Sequence, residues 1–163
     1  MINIFDGEAM IKIYRTLQKR CDVIDKFINN HAYYFGPCTA EYGALDVYDS
    51  IMDLMAKKNE LINLKIIIDD AISKLDDCDK KVLFIKMNYN ISINEMCGVL
   101  ELKERTAFRR IERAFANFSQ ALNASRYVSK LEKILNSQEW ICRIREEVKD
   151  RRLSFKPIAV SSL

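Results

Sequence analysis

The stretch that decides the fold is residues 91–113, where two helical patterns flank a short turn. It consists of Ile91-Ser-Ile-Asn-Glu-Met-Cys-Gly-Val, then Leu100-Glu-Leu, then Lys103-Glu-Arg-Thr-Ala-Phe-Arg-Arg-Ile-Glu-Arg. Ser92 is predicted to be the N-cap of the first helix, and Glu95 completes a capping box three residues later. The pattern predicts a helix over 93–100, a turn over 100–102 and a second helix from residue 103 or 104. Together these elements form a helix-turn-helix.

The second of these helices has an apolar face and a polar face. Its apolar residues recur at helical spacing, which predicts that they are buried: Ala107, Ile111, Ala114, Phe115, Phe118 and Leu122. Its polar face holds Lys103, Glu104, Arg105, Thr106, Phe108, Arg109, Glu112 and Arg113. Arginine pairs with guanine or phosphate, glutamate accepts from cytosine, and threonine or phenylalanine contacts the thymine methyl group. The composition of this face therefore suits the major groove of DNA.

Other interpretations of these residues stay open. The arginines of the polar face either bind DNA or belong to a solvated face and form ion pairs with Glu101 and Glu112. Phe108 either contacts DNA or a partner, or packs on the C-terminal helices. The basic residues within 143–152 either add phosphate contacts or form a solvated face of their own.

The residues upstream predict a long antiparallel helical hairpin. Apolar residues of 8–35 alternate by four and three, Gly36-Pro37 ends this helix, and Thr39 is a candidate cap in the loop. A second helix over 44–75 carries two apolar stripes. We expect the second stripe to leave an apolar surface around 66–68 against which another layer, either the C-terminal helices or a second subunit, packs. The first stripe, interrupted by Asn59, is Leu45, Tyr48, Met52, Met55, Ile62 and Ile66; the second is Leu61, Leu64, Ile68, Ala71 and Leu75.

The whole chain is predicted to be all-α, because four Gly and two Pro are too few for the turns of a sheet protein. Asp76, Asp77 and Asp79 are expected to cap the helix before Tyr89-Asn90. Ser125 and Ser137 are expected to cap C-terminal helices over 126–135 and 138–152. The predicted division is a dimerisation or partner-binding hairpin (1–74), the helix-turn-helix (75–124), C-terminal helices (125–155) and a flexible tail (156–163).

The net charge of +3 conceals a strong asymmetry along the chain. Residues 41–79 hold ten acidic and four basic side chains, whereas residues 80–163 hold seventeen basic and nine acidic ones. Nine of the eleven arginines follow Glu104. Such asymmetry predicts that the second half of the chain meets a polyanion.

Several classes of protein do not fit the sequence. The five Cys are scattered and form no Cys-x-x-Cys pair, which favours reduced thiols over disulfides or a zinc site. We find no signal peptide and no apolar run of about 18 residues, so a cytoplasmic protein without a membrane segment is expected. No phosphate-binding loop, nucleophile elbow or metal-binding spacing is present, which predicts no catalytic residue, no metal and no cofactor.

Residues 75–122 resemble region 4 of the sigma-70-type sigma factors of bacterial RNA polymerase. The matching segments begin at Leu75-Asp-Asp-Cys-Asp, at Ile91-Ser-Ile-Asn-Glu and at Leu102-Lys-Glu-Arg-Thr. The resemblance implies a reader of the promoter −35 element that also docks on RNA polymerase. By position it places Lys103, Glu104, Arg105, Thr106, Arg109 and Arg110 where the recognition helix meets DNA, and Ser92 at the cap of the support helix.

Two departures from the family pattern define the alternatives. The family's turn glycine is Glu101 here, and nothing upstream resembles the family's region 2. A sigma-like transcription regulator of bacterial, phage or mobile-element type is expected, with double-stranded DNA and RNA polymerase as partners. The alternative is an adaptor, either a coactivator or an anti-sigma-like protein, that binds polymerase or a sigma factor without binding DNA. A homodimer is expected, because symmetric dimers are the commonest form of DNA-binding modules of this kind.

Overall fold

A computed structural model describes residues 5–34, 43–89 and 91–154. In these ranges the chain forms seven helices and no strand, so the prediction of an all-α fold is confirmed. The helices are α1 (Gly7–Tyr34), α2 (Ala44–Ser73), α3 (Asp77–Tyr89), α4 (Ile93–Leu100), α5 (Glu104–Asn123), α6 (Val128–Ser137) and α7 (Glu139–Ser154). The predicted Gly36-Pro37 turn, the Thr39 cap and the 156–163 tail lie outside the described residues.

Helices α1 and α2 pack against each other in antiparallel directions. The Tyr14 hydroxyl donates to Asp69 Oδ1 at 2.8 Å, and Lys58 Nζ donates to Asp25 Oδ1 at 2.6 Å. Residue numbers rise along α1 as they fall along α2, which defines the antiparallel arrangement. At ~1.5 Å per residue, the 28 residues of α1 extend over roughly 42 Å.

The two apolar stripes of α2 have opposite environments. Leu61, Leu64, Ile68 and Ala71 of the second stripe are buried, whereas the apolar side chains of the first stripe are exposed. The cause is the position of the neighbouring helices, since α1, α5 and α6 all pack on the side that carries the second stripe. Of the surface around 66–68 that is expected to receive another layer, Ile67 and Ile68 are buried by the neighbouring helices, whereas Ile66 is exposed.

A single hydrophobic core joins most of the helices. Its members come from the predicted hairpin, the predicted helix-turn-helix and the C-terminal helices, and they include Phe5, Leu64, Leu83, Phe118, Leu131 and Ile141. The core thus contains residues from both sides of positions 74 and 124. The division of the chain into units at these positions stays a prediction. Among the described helices, none has an apolar stretch long enough to cross a membrane.

Acidic side chains cap two of the helices. Asp6 immediately precedes α1, and its Oδ1 accepts hydrogen bonds from the N–H groups of Glu8 and Ala9 in the first turn, at 2.9 and 3.2 Å. Asp76 Oδ1 accepts from the N–H of Asp79 at 2.7 Å. These bonds satisfy N–H groups that have no partner inside the helix, and the carboxylates also lie at the positive end of the helix dipole.

The predicted serine caps of the C-terminal helices need correction. Tyr127 is the N-cap of α6, and Ser125 precedes it with its hydroxyl accepting the Tyr127 N–H at 3.2 Å. Ser137 is the last residue of α6, where its hydroxyl donates to the Ile134 carbonyl at 3.0 Å. Only Gln138 separates α6 from α7, so the backbone of Ser137 is still helical and cannot begin the next helix.

The start of α1 lies directly against the backbone of α5. A Cβ atom added at Gly7 would lie 2.5 Å from the carbonyl oxygen of Phe115. Because the obstacle is backbone, it cannot rotate away, so only glycine fits at this crossing. This approach fixes the N-terminus of α1 on the helix that carries the predicted DNA-binding residues.

We predict that Gly7→Ala destabilises the protein by about 1–3 kcal/mol, the usual cost of overpacking a close contact. Urea unfolding followed by circular dichroism measures the change. Gly98→Ala is the matched control, since a Cβ at Gly98 meets nothing within 4 Å and the residue lies inside α4. The control is expected to gain about 0.5–1 kcal/mol from the lower backbone entropy of alanine. Equal effects of the two substitutions would contradict the close contact at Gly7.

Candidate nucleic-acid interface

Helix α4 begins with the capping box that the sequence predicts. Ser92 Oγ accepts from the Glu95 N–H at 3.3 Å, and the Ser92 N–H donates to Glu95 Oε2 at 2.7 Å. Lys86 of α3 reaches the segment before this cap, where its ammonium donates to the Ile91 carbonyl at 2.8 Å. Burial lowers the pKa of Lys86. The start of α4 is thus held both by its own cap and by α3.

The turn after α4 is closed by two backbone hydrogen bonds. The N–H of Leu102 donates to the Cys97 carbonyl at 3.0 Å, and the N–H of Glu101 donates to the Gly98 carbonyl at 3.4 Å. This pair of bonds is a Schellman motif, which needs a left-handed residue after the helix. Glu101 supplies it with φ 53° and ψ 41°. The position of the expected turn glycine therefore has the backbone conformation that favours glycine, although it holds glutamate.

Helix α5 separates apolar from charged side chains. Along its length the buried residues are Ala107, Ile111, Ala114, Phe118, Ser119 and Leu122, while Phe115 is half-buried. Lys103 is the N-cap, one position before the first residue of α5. The predicted DNA-binding residues that are exposed are Lys103, Glu104, Arg105, Thr106, Phe108, Arg109 and Arg113, and Arg110 is half-buried. Ser92 lies elsewhere, at the far end of α4, about 12 Å along that helix from the turn.

The exposed cations of α5 differ in their partners. Arg113 Nη2 donates to Asp76 Oδ2 at 3.1 Å, so its guanidinium faces the start of α3. Within the described ranges, no ion pair involves Lys103, Arg105, Arg109 or Arg110. The ion pairs with Glu101 and Glu112, which one interpretation of the sequence expects, are not formed there. These four cations remain open to an external anion.

The arginines of α7, by contrast, have partners within the chain. Arg143 bonds Glu139 at 2.8 Å and Arg145 bonds Asn136 at 3.0 Å. Arg151 and Arg152 reach back to α1, where they bond Glu8 and Asp6, each at 3.2 Å. These four arginines therefore make contacts inside the chain, and two of them tie α7 to the start of α1.

A polar clamp holds α5 against α3. Asp79 is only 2% exposed, and its Oδ2 accepts from Asn117 Nδ2 at 2.6 Å. Beside it, Asp76 receives Arg113. The two donors are four residues apart on α5 and the two acceptors three apart at the start of α3, so each pair lies on one side of its segment. Sequence reasoning missed Asn117, because its spacing from Arg113 places the two donors on one face of α5 but does not indicate which helix that face meets.

We predict that Glu101→Gly raises the free energy of unfolding by about 0.5–1 kcal/mol. A residue other than glycine costs about 1–2 kcal/mol in the left-handed conformation, and the higher entropy of unfolded glycine offsets part of the gain. Glu101→Ala is the control, since alanine keeps the strain and is expected to change stability by less than about 0.5 kcal/mol. Urea unfolding distinguishes the two variants, and a loss of stability in Glu101→Gly would contradict the left-handed turn.

The capping box makes stability depend on pH. Hydrogen bonds from the Ser92 backbone and side chain lower the pKa of Glu95 below its ordinary value of 4.5. A lowered carboxylate pKa stabilises the fold above about pH 4.5, and this contribution is lost as the pH falls through the folded pKa. Wild type is expected to be more stable than Glu95→Gln at pH 6, with the difference narrowing as the pH falls below about 4.5 towards the lowered pKa of Glu95. Urea unfolding at pH 3 to 7 tests this, and a difference that is as large at pH 3 as at pH 6 would contradict it.

Comparisons with known proteins add nothing to these observations. No family model, curated protein or solved structure matches the chain. Among the residues that the structure describes, no group of three or more His, Cys, Asp or Glu side chains is placed to hold a metal ion. The interpretation of the interface therefore rests on α4, its turn and the exposed side of α5.

Proposed function

We propose that the chain is a sequence-specific DNA-binding transcription regulator that acts at promoters with RNA polymerase. In this proposal α4, its turn and α5 act as a helix-turn-helix, as the resemblance to sigma region 4 implies. One observation carries it: four cations on or beside the start of α5 have no ion pair within the described residues. An unpaired cation loses its hydration water favourably only when an anion takes the place of that water, and the phosphates of the DNA backbone are such anions.

The arrangement of α5 suits the major groove. Arg105 and Arg109 lie one turn apart on the same side of the helix, about 6 Å along its axis. That distance is close to two base-pair steps, so two arginines of this spacing reach neighbouring guanines or a guanine and a phosphate. Lys103 makes no side-chain cap bond, and the first N–H groups of α5 add a partial positive charge for a phosphate.

A second candidate is the adaptor that binds polymerase or a sigma factor without contacting DNA. Two observations favour it. Glu101, Glu104 and Glu112 reduce the positive charge of the α5 face. Phe84 and Val99 of α3 and α4 are also exposed, at 61% and 56%, which is typical of surfaces that bind proteins. The charged face of α5 and the exposed apolar residues Phe84 and Val99 are different residues, so the two kinds of binding can be tested by separate substitutions.

DNA binding is tested by selecting sequences from random duplexes and measuring affinity by fluorescence anisotropy. We expect a defined motif and, for about four to five phosphate contacts, a slope of log affinity against log salt near −4. Arg105→Ala or Arg109→Ala is expected to cost about 1–3 kcal/mol at one base position if that arginine contacts a base edge. Arg143→Ala is the matched control, since this exposed arginine is paired with Glu139, and it is expected to bind as wild type does.

The outcomes separate the two candidates. Absence of binding at 50 mM salt would overturn the DNA-binding proposal. The adaptor is favoured if a triple variant at Lys103, Arg105 and Arg109 still co-purifies with polymerase and retains its effect on transcription. An equal loss of affinity on every DNA sequence would limit the substituted arginine to a phosphate contact.

A further inference from the structure

We propose that the exposed stripe of α2 is the seam of a parallel two-stranded coiled coil formed with α2 of a second copy of this chain. The α2 seam consists of Leu45, Tyr48, Met52, Met55, Asn59, Ile62 and Ile66. The inference goes beyond DNA binding and stands on a different surface. It follows from the spacing of these residues, their exposure and the position of the one polar residue among them.

The spacing of the α2 seam is that of a heptad repeat. Its seven residues are separated by three and four in strict alternation, which makes Leu45, Met52, Asn59 and Ile66 the a positions and Tyr48, Met55 and Ile62 the d positions. The seam covers three heptads, or about 32 Å of helix. A repeat of this length is the pattern by which two helices wrap around each other.

The α2 seam has no apolar cover among the described residues. Its six apolar side chains are 41% to 77% exposed, and Asn59 is exposed as well. The other sides of α2 are occupied, since Lys58 bonds Asp25 of α1 and Glu60 accepts from Ser137 and Gln138 beside α6. Six large apolar residues in one exposed line are more than an isolated helical hairpin leaves open to water.

Asn59 indicates that the partner of the seam is a second copy of α2 and that the two copies run parallel. When two copies of α2 pair in parallel and in register, the a positions face each other, so Asn59 meets Asn59 of the other copy and the two amides hydrogen-bond. In an antiparallel pair, an a residue faces a d residue, and Asn59 would lie against Tyr48 or Met55. A buried amide against Met55 has no adequate partner and costs free energy, and the register that faces Asn59 with the Tyr48 hydroxyl leaves Ile66 without a seam residue opposite it. The seam is thus complementary to itself in the parallel arrangement.

The flanking charges agree with that arrangement. In a parallel pair, each g residue lies near the e residue of the next heptad in the other copy. Lys65 at g then lies near Asp70 at e, an attractive pair in addition to their bonds with Asp69 and Lys74 of the same chain. Lys58, which Asp25 of α1 already neutralises, lies near the neutral Asn63. No like charges are opposed at these positions, although segment 41–79 as a whole is acidic.

Sedimentation equilibrium of the full chain at 1 to 100 µM tests the proposal. The expected result is a reversible dimer of twice the 19.0 kDa chain mass. Met55→Glu and Ile62→Glu are each expected to weaken dimerisation at least tenfold, with helix content unchanged because these side chains lie outside the core. Tyr89→Glu is the matched control, because Tyr89 is an exposed residue at the end of α3, away from the α2 seam, and its substitution is expected to leave dimerisation unchanged.

Two further variants test the register. Ile62→Cys is expected to form a disulfide-linked dimer on mild oxidation, because a parallel pair brings the two copies of this d position together, whereas an antiparallel pair separates them by about 15–25 Å along the seam. Asp53→Cys, at a b position pointing away from the seam, is expected to give no more cross-linked dimer than the wild-type chain. Asn59→Leu is expected to strengthen association, because it replaces the polar pair by an apolar one. A chain that stays monomeric at 100 µM, or that dimerises equally well with glutamate at 55 and 62, overturns the seam. A dimer that Ile62→Cys does not cross-link overturns the parallel register.

Discussion

The complete burial of one side of α5 is the constraint on which the rest of the structure depends. Ala107, Ala114 and Phe118 have no exposed surface, and α1, α2, α3 and α4 all pack around this helix. The small side chains allow close approach, and at Gly7 the backbone of α1 touches that of α5. Because the buried side is fixed, the rotation of α5 about its axis is fixed too. The side of α5 that carries Arg105 and Arg109 must therefore face solvent or a ligand.

The ion pairs distinguish the basic residues on this exposed side of α5 from those elsewhere in the chain. Arg145 joins α7 to α6, Arg151 and Arg152 join α7 to the start of α1, and Arg113 joins α5 to Asp76, so these cations connect helices. Exposed ion pairs contribute little to stability, and Arg105 and Arg109 are without even that role among the described residues. Arginines that connect helices are thus distinct from those that α5 presents outward.

Local sequence signals predicted local structure well. The bounds of α4, the Ser92–Glu95 box and the turn at Glu101 follow from residues within a few positions of one another, where backbone hydrogen bonding decides the outcome. Contacts between distant residues were not predictable in the same way. Periodicity identified both stripes of α2, but only the position of α5 and α6 decides that Leu64 is buried and Met52 exposed. The bond between Asp79 and Asn117 likewise depends on how two helices meet.

The acidic charge of segment 41–79 links the two proposed surfaces. A long helix that carries many carboxylates is repelled by DNA, so under the DNA-binding proposal α5, rather than α2, is the part that would approach the duplex. A single α5 face with four basic and two acidic side chains offers limited attraction to phosphates. Pairing through α2 would present two such faces related by a two-fold axis, and the second contact would then form at a high effective concentration. Repulsion along α2 and attraction at α5 would together orient the dimer on DNA.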